Sequence, residues 1–266
     1  MKKIRLDLLL TERQLVSSPE KAQALIFSGQ VLVNGQLVHK PGQQVEPDSQ
    51  ITVLESFAYV GRGGAKLEQG LETFPVNPEG KIALDIGAST GGFTDCLLQF
   101  GAKIVYAVDV NIKQLDWRLR QEARVQTLEK NARYLQPEDL PETPEIAVID
   151  VSFISVLKIL PAIKKIMPSG DLLVLIKPQF EAGRKQVGKK GIIKDRKIHQ
   201  QVLEEVLTRA QGLGFAVKGL LACSVRGQKG NQEFLAWLQP QTEPLAVEKL
   251  KNLIQESLAD ERKEKN

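Results

Sequence analysis

The chain contains 266 residues, of which 42% are hydrophobic and 26% are charged, and its formal net charge is +4. This composition is ordinary for a globular protein with a sizeable core, and the mild positive charge permits a polyanionic partner without requiring one. The two cysteines, Cys96 and Cys223, lie far apart in apolar segments, which argues against a disulfide framework and predicts buried thiols.

The N-terminus is basic and then apolar, but Asp7, Glu12 and Arg13 interrupt the apolar run, unlike in a signal peptide. No stretch approaches the roughly 18 uncharged apolar residues of a membrane-spanning helix. We therefore expect a cytoplasmic protein that has no membrane partner.

The N-terminal part of the chain predicts two helices and a small sheet. Leucines at helical spacing indicate a helix over residues 5–15, and a second helix begins at Pro19 and ends before Gly29. The pair Asn34-Gly35 lies between short β-branched runs and is typical of a two-residue hairpin turn. These elements together indicate a compact α+β unit.

From about residue 81 onward, short apolar runs alternate with helical patterns, which is typical of a parallel sheet covered on both faces. The predicted strands cover residues 82–86, 104–108, 125–128, 146–149, 171–176, 215–223 and 233–237. The predicted helices cover residues 65–74, 92–100, 154–167 and 195–213. The last two strands follow each other through a short turn region, so we expect the final strand to be antiparallel.

These patterns divide the chain into four predicted segments. They are a small α+β domain over residues 1–59, a linker over 60–64, an α/β domain over 65–242 and a C-terminal amphipathic helix over 243–266.

A glycine-rich turn follows the first strand of the α/β domain, in the sequence LDIGASTGGF. Glycines let the backbone approach a ligand closely, and the free N–H groups at the start of the next helix bind it. The spacing of Gly87, Ser89 and Gly92 lacks the middle glycine of the G-x-G-x-x-G motif, which disfavours a nicotinamide dinucleotide.

Two acids favour S-adenosylmethionine as the ligand of this turn. Asp85, inside the strand, suits the cationic ammonium of a methionyl group and repels a pyrophosphate. Asp109 ends the next strand about 20 residues after Gly87, where an acid typically bonds ribose hydroxyls. The alternative is that Asp85 only caps a helix and that Asp109 is an ordinary turn acid.

Charged residues also end two later strands. Asp150 ends the fourth strand and Lys177 the fifth, at the carboxyl edge where ligands bind in open α/β sheets. A lysine that closes an apolar strand is unusual, because a buried charge is costly unless it is paired. The alternative is that Lys177 extends to solvent.

The segments YVGRGGAKL, LDIGASTGGFTDCLLQFGA, DVSFIS and LIKPQFE resemble, in order and spacing, those of the TlyA family of ribosomal RNA 2′-O-methyltransferases, historically named haemolysins. The resemblance covers roughly residues 3–240. The catalytic domain is similar to FtsJ-type methyltransferases, and the N-terminal unit resembles the S4 RNA-binding domain. The resemblance implies a Rossmann-like class I methyltransferase fold with a seven-stranded, mostly parallel sheet whose last strand is antiparallel.

By this resemblance, the family's catalytic tetrad falls on Lys66, Asp150, Lys177 and Glu233. It implies methyl transfer from S-adenosylmethionine to a ribose 2′-hydroxyl, of cytidine, in ribosomal RNA or ribosomal subunits, with no metal. Lys177 would accept the hydroxyl proton, and the nearby cation Lys66 would favour its neutral form. Asp150 would hold an ammonium, and Glu233 would orient a lysine or the hydroxyl.

The expected donor-binding residues are Asp85, Gly87, Ala88, Ser89, Gly91, Gly92, Asp109, Val110, Asn131 and Asp150. Asn131 would bond the adenine edge, and the ring of Phe153 would either stack on a base or belong to the core. The RNA-binding candidates lie on one face of the N-terminal domain, in the linker and in a basic run over residues 177–197. They are Lys2, Lys3, Arg5, Arg13, Lys21, Arg62, Arg184, Lys185, Lys189 and Lys190.

Other functions remain open at this point. A non-catalytic RNA-binding protein would explain the N-terminal unit but not the intact tetrad. A membrane-lytic protein, which the old family name suggests, would lack a secretion signal and a spanning segment. A small-molecule methyltransferase would leave the N-terminal unit and the basic run unexplained, and that run could also be a solvated surface loop.

Overall fold

The computed structural model describes residues 3–16, 18–27, 29–53, 59–183, 186–188, 191–227, 229–240 and 243–263. The chain divides into two compact units, Met1–Ala58 and Tyr59–Asn266. Five of the predicted RNA contacts lie outside the described residues, namely Lys2, Arg184, Lys185, Lys189 and Lys190.

The N-terminal unit contains two helices and short antiparallel strand pairs. Its elements are β1 (Ile4–Arg5), α1 (Leu6–Glu12), α2 (Pro19–Phe27), β2 (Val31–Val33), β3 (Gln36–Leu37), β4 (Gln44–Val45) and β5 (Ile51–Val53). The hairpin predicted at Asn34-Gly35 is present, with positive φ angles of 50° and 75° at these two residues. Helix α1 is shorter than predicted, because Gln14 takes a left-handed backbone conformation with a φ of 58°.

The larger unit alternates strands and helices, as the sequence predicted. Its first elements are α3 (Gly63–Thr73), β6 (Ile82–Ile86), α4 (Gly92–Gln99), β7 (Ile104–Asp109), α5 (Trp117–Gln121), β8 (Val125–Glu129) and β9 (Ile146–Ile149). The remaining elements are α6 (Leu160–Ile166), β10 (Asp171–Ile176), α7 (Pro178–Glu181), α8 (Arg196–Gly212), β11 (Phe215–Ala222), β12 (Phe234–Pro240) and α9 (Val247–Lys263).

The seven-stranded sheet has the order β11-β12-β10-β9-β6-β7-β8. The last strand, β12, is antiparallel to both of its neighbours, while the pairs from β10 to β8 are parallel. This confirms the predicted fold class. Because β12 is antiparallel to β10, its start lies at the carboxyl edge of the parallel strands.

Two apolar clusters cover the two faces of the sheet. Leucines and valines of α8 and α9 pack on one face, and residues of α3 and α4, including Leu67 and Leu97, pack on the other. Both cysteines are buried free thiols, as predicted. No helix in the described part of the chain has both the length and the apolar character needed to cross a membrane.

Two helix starts differ from the prediction for local reasons. The helix predicted over 154–167 begins only at Leu160, after a 3₁₀ turn, because Pro161 lacks an N–H and belongs in the first turn of a helix. Helix α3 begins at Gly63, so the last two residues of the predicted linker are helical. Gly64 is required there, since a Cβ atom at this position would lie 2.2 Å from the Tyr59 ring.

The turn before β10 generates a stability prediction. Gly170 has a φ of 118°, and a Cβ atom there would lie 2.3 Å from the carbonyl oxygen of Glu145. We expect Gly170→Ala to lower the free energy of unfolding by about 1–3 kcal/mol, measured by thermal or denaturant unfolding.

The matched control is Gly212→Ala in α8, where the added Cβ would meet no described atom within 4 Å apart from its chain neighbours and the backbone of its own helix. Alanine favours a helix over glycine by roughly 0.5–1 kcal/mol, so this variant should be as stable as the parent or more stable. Equal stability of the two variants would show that the Glu145 contact does not constrain the turn.

Candidate active site

Four polar residues that are distant in sequence meet at the carboxyl edge of the sheet. Lys66 lies on α3, Asp150 follows β9, Lys177 follows β10, and Glu233 precedes β12. The Nζ atom of Lys66 lies 2.5 Å from Oε2 of Glu233. The Nζ atom of Lys177 contacts Oδ1 of Asp150 and donates to Oγ of Ser152 at 3.1 Å. The four residues therefore form two lysine–carboxylate ion pairs.

The register of the sheet explains why the two pairs are neighbours. Ile176 pairs with Phe234 across β10 and β12, so Lys177 and Glu233 extend adjacent strands at the same edge. Lys66 and Glu233 are buried, with 6% and 3% of their surface exposed. A buried charge is tolerated when its partner is in contact, and removal of either partner leaves the other uncompensated.

The glycine-rich turn lies beside these ion pairs and depends on its glycines. Gly87 has a φ of 83°, and a Cβ atom there would lie 2.4 Å from the carbonyl oxygen of Asp150. Gly91 has a φ of 99°, and a Cβ atom there would lie 2.2 Å from the side chain of Leu119. The first glycine therefore brings the turn against the Asp150 backbone, while the second permits packing on α5.

A cavity of about 770 Å³ opens between the glycine turn, the end of β7 and the loop after β9. Its volume is in the range of small-molecule sites. Six of the predicted donor-binding residues line it, namely Gly87, Ser89, Asp109, Val110, Asn131 and Asp150. A smaller cavity of about 100 Å³ is lined by Ala88, Gly92 and Arg62, and Asp150 lines both cavities. Neither lining includes Asp85 or Gly91.

Asp109 and Asn131 shape the wall of the large cavity. The Asp109 carboxylate accepts hydrogen bonds from the backbone amides of Ser89 and Asn111, both at 2.9 Å. The side-chain oxygen of Asn131 accepts from the backbone amide of Arg133 at 3.1 Å and so caps a 3₁₀ turn. Each polar side chain thus fixes a backbone segment and still faces the cavity.

Asp85 is fully buried beneath the glycine turn. Its Oδ2 accepts a hydrogen bond from the Thr94 hydroxyl at 2.6 Å, whereas Oδ1 has no hydrogen-bond partner among the residues that the structure describes. Burial raises the pKa of Asp85 to about 7, and the nearby charge of Asp150 acts in the same direction. The Thr94 contact matches the alternative in which Asp85 caps α4, while the unpaired Oδ1 suits a cationic ligand.

Three of the predicted RNA contacts are engaged inside the N-terminal unit. Arg5 forms an ion pair with Asp7 at 2.7 Å, and the same hydrogen bond lowers the pKa of Asp7. Arg13 donates to the backbone oxygens of Pro47 and Ser49. Lys3 lies 3.6 Å from Glu46, while Lys21 is exposed on α2.

The interpretation of Phe153 as a core residue is wrong, because 90% of its surface is exposed. Its backbone has a positive φ of 65°, which is rare for a bulky residue and typical of functional sites. The ring lies at the large cavity, with its centroid 4.9 Å from that of Phe180.

The sequence analysis missed three further side chains around the tetrad. Ser152 contacts Lys177, and Gln179 contacts Glu233. Glu181 lies near Gln179 in the chain and accepts a hydrogen bond from the Val156 amide. Burial raises the pKa of Glu181. All three lie within the DVSFIS and LIKPQFE segments, so their closeness in sequence to Asp150 and Lys177 could have identified them.

Comparisons with known proteins agree with this geometry. The FtsJ-like methyltransferase family model matches residues 59–240, and the S4 domain model matches residues 4–51. The Bacillus subtilis protein YqxC, described as an rRNA methyltransferase, is 49% identical over 89% of this chain and 86% of its own. The Mycobacterium tuberculosis 16S/23S rRNA (cytidine-2′-O)-methyltransferase TlyA is 38% identical over 97% of this chain and 98% of its own.

A solved structure of a Streptococcus thermophilus protein described as a hemolysin is 42% identical and has a TM-score of 0.77. The alignment covers 100% of this chain and 99% of that protein. The methyltransferase model alone spans more than half of the chain, and it includes both ion pairs and the glycine turn. The chain therefore belongs to the FtsJ-like methyltransferase family, as its motifs predicted, and it carries an S4 domain.

Proposed function

We propose that this protein transfers a methyl group from S-adenosylmethionine to a ribose 2′-hydroxyl of ribosomal RNA, with cytidine as the target nucleoside. The observation that carries the proposal is the convergence of the Lys66–Glu233 and Lys177–Asp150 ion pairs at one edge of the sheet, where Asp150 also lines the large cavity. The name of the M. tuberculosis relative, which aligns with almost the whole chain, supports the choice of substrate.

The residues of the cavity fit the proposed methyl donor. Gly87 lines the cavity, so its backbone can lie close to a ligand, and Asp109 offers carboxylate oxygens to ribose hydroxyls. The unpaired Oδ1 of Asp85 leaves a hydrogen-bond acceptor beneath the turn that suits the ammonium of the donor. The donor, when bound, supplies a methyl group that is already activated on a sulfonium.

Asp150 connects the donor cavity to the proposed proton acceptor. It lines both cavities, and its carboxylate contacts the Nζ atom of Lys177. A hydroxyl that attacks a methyl group must lose its proton, and Lys177 in its neutral form is the proposed acceptor at this edge. Asp150 stabilises the charged lysine that results, and Lys66, held by Glu233, stabilises negative charge on the attacking oxygen.

Two features suit an RNA substrate. The S4 domain at residues 4–51 is an RNA-binding module by resemblance. The exposed ring of Phe153 offers a flat surface at the cavity, and unstacked bases of RNA stack on such aromatic side chains. A small-molecule methyltransferase would need neither feature.

The first test is transfer of a labelled methyl group to ribosomal RNA or ribosomal subunits. We expect Lys177→Ala to reduce the rate by about 100-fold or more, because the proposed proton acceptor is lost. The control is Lys165→Ala, which removes an exposed lysine of α6. Mapping of the methylated nucleotide then identifies the target.

The alternatives give different results in this assay. Label that appears only on small molecules would support a small-molecule methyltransferase. Tight RNA binding by the parent protein without any turnover would support a non-catalytic RNA-binding protein. Equal activity of Lys177→Ala and the parent would remove Lys177 from the mechanism.

The second test concerns the glycine turn. Gly87→Ala should abolish binding of S-adenosylmethionine in calorimetry, because the added methyl group collides with the Asp150 backbone and displaces two parts of the cavity wall from each other. Gly80→Ala is the matched control, since Gly80 also has a positive φ, of 71°, but no described atom lies within 4 Å of its Cβ position. Loss of binding in both variants would point to general destabilisation rather than to the turn.

The third test separates the two interpretations of Asp85. Burial holds its proton up to about pH 7, so its negative charge, and with it the attraction for an ammonium, increases as pH rises through this value. We expect donor affinity to rise by up to about tenfold per pH unit as the pH approaches 7, where the donor's amino group is still largely protonated. The affinity of Asp85→Asn should not change over the same range. If the parent protein also shows no change, Asp85 only caps α4.

A further inference from the structure

Gln179 contacts the buried ion pair at the Glu233 oxygen that Lys66 leaves free. It is half-buried in α7, the short helix that follows Lys177 directly. Its Nε2 donates to Oε1 of Glu233 at 3.2 Å, while Oε2 of Glu233 lies 2.5 Å from the Nζ atom of Lys66. Each oxygen of the Glu233 carboxylate therefore has its own partner.

The other end of the Gln179 amide is buried without compensation. Its Oε1 is shielded from solvent and has no hydrogen-bond partner among the described residues. A flip of the side-chain amide would not solve this, because Oε1 would then face a carboxylate oxygen of Glu233 and repel it. An unpaired buried acceptor costs stability, and the hydrogen bond to Glu233 is what this amide gains in return.

Helix α7 is itself held against the loop that carries Asp150. The Oε1 atom of Glu181 accepts a hydrogen bond from the Val156 amide at 2.8 Å, and the ring of Phe180 packs on Phe153. Pro178 occupies the first position of the helix and limits its backbone freedom. These contacts fix the position of the helix that carries Gln179 relative to Glu233.

We propose that Gln179 is a positioning residue for methyl transfer. Its hydrogen bond holds the Glu233 carboxylate in the orientation that pairs with Lys66. It connects the Lys66–Glu233 pair to the segment that carries Lys177, two residues earlier in the chain. The inference rests on the proposed function, because it assigns Gln179 a role in the same reaction. Gln179 acts through Glu233 and makes no contact with substrate in this role.

The kinetic test compares Gln179→Leu with Gln179→Glu across pH. We expect Gln179→Leu to lower kcat by about 10- to 100-fold at every pH, the effect of one lost hydrogen bond to a charged group, with little change in KM. In Gln179→Glu, two carboxylates face each other at high pH and repel. At low pH a protonated Glu side chain donates the original hydrogen bond, so activity relative to the parent protein should recover as pH falls.

The matched control is Gln200→Leu in α8. Gln200 is also half-buried and donates from Nε2 to a glutamate, Glu204, at 2.9 Å, but it lies outside the site. This variant should retain the kcat and the pH profile of the parent. A Gln179→Glu profile that runs parallel to that of the parent would overturn the positioning role, since a merely structural defect has no reason to be reversed by protonation.

A second measurement does not depend on methyl transfer. Acetic anhydride acetylates exposed lysines, and peptide mass spectrometry reports the rate at each one. Lys66 is 6% exposed, so it should react slowly in the parent and several-fold faster in Gln179→Leu, while the exposed Lys103 serves as the internal reference. Faster labelling of Lys66 without any methyl transfer by the parent would support the positioning role and reject the proposed function. Unchanged labelling would overturn the positioning role itself.

Discussion

A buried ammonium group needs a carboxylate in contact with it, and the pair Lys66–Glu233 meets this need between residues 167 positions apart. Much of the large unit follows from that constraint. Helix α3 must pack against the sheet so that Lys66 reaches its edge, and β12 must run antiparallel so that its start, not its end, lies beside Lys177. An all-parallel sheet would place Glu233 at the opposite edge.

The second ion pair joins this edge to the glycine turn. The Asp150 carboxylate contacts Lys177, while its backbone oxygen lies against Gly87, so one residue belongs to the proposed proton-accepting pair and to the wall of the proposed donor cavity. The backbone contact between Asp150 and Gly87 therefore fixes the distance from Lys177 to the glycine turn. Proximity and orientation supply a large part of the rate enhancement in methyl transfer from an activated donor.

Strands such as Ile146–Ile149 and Asp171–Ile176 could be predicted to the residue, because a short apolar run bounded by polar residues is a local signal. The position of Lys177 at a sheet edge followed from the same signal. The choice of partners could not be predicted, because nothing local indicates that Lys66 pairs with Glu233 rather than Asp150. The same holds for Asp85, whose complete burial depends on how α4 packs over it.

The place of β12 in the sheet has a consequence for the growing polypeptide. The residues that line the large cavity all lie between positions 86 and 159, so they have been synthesised long before Glu233. Strand β11 also precedes β12 in the chain but reaches β10 only through it. A nascent chain therefore contains every residue of the large cavity before it can complete the tetrad, and no fragment that ends before Glu233 holds both ion pairs.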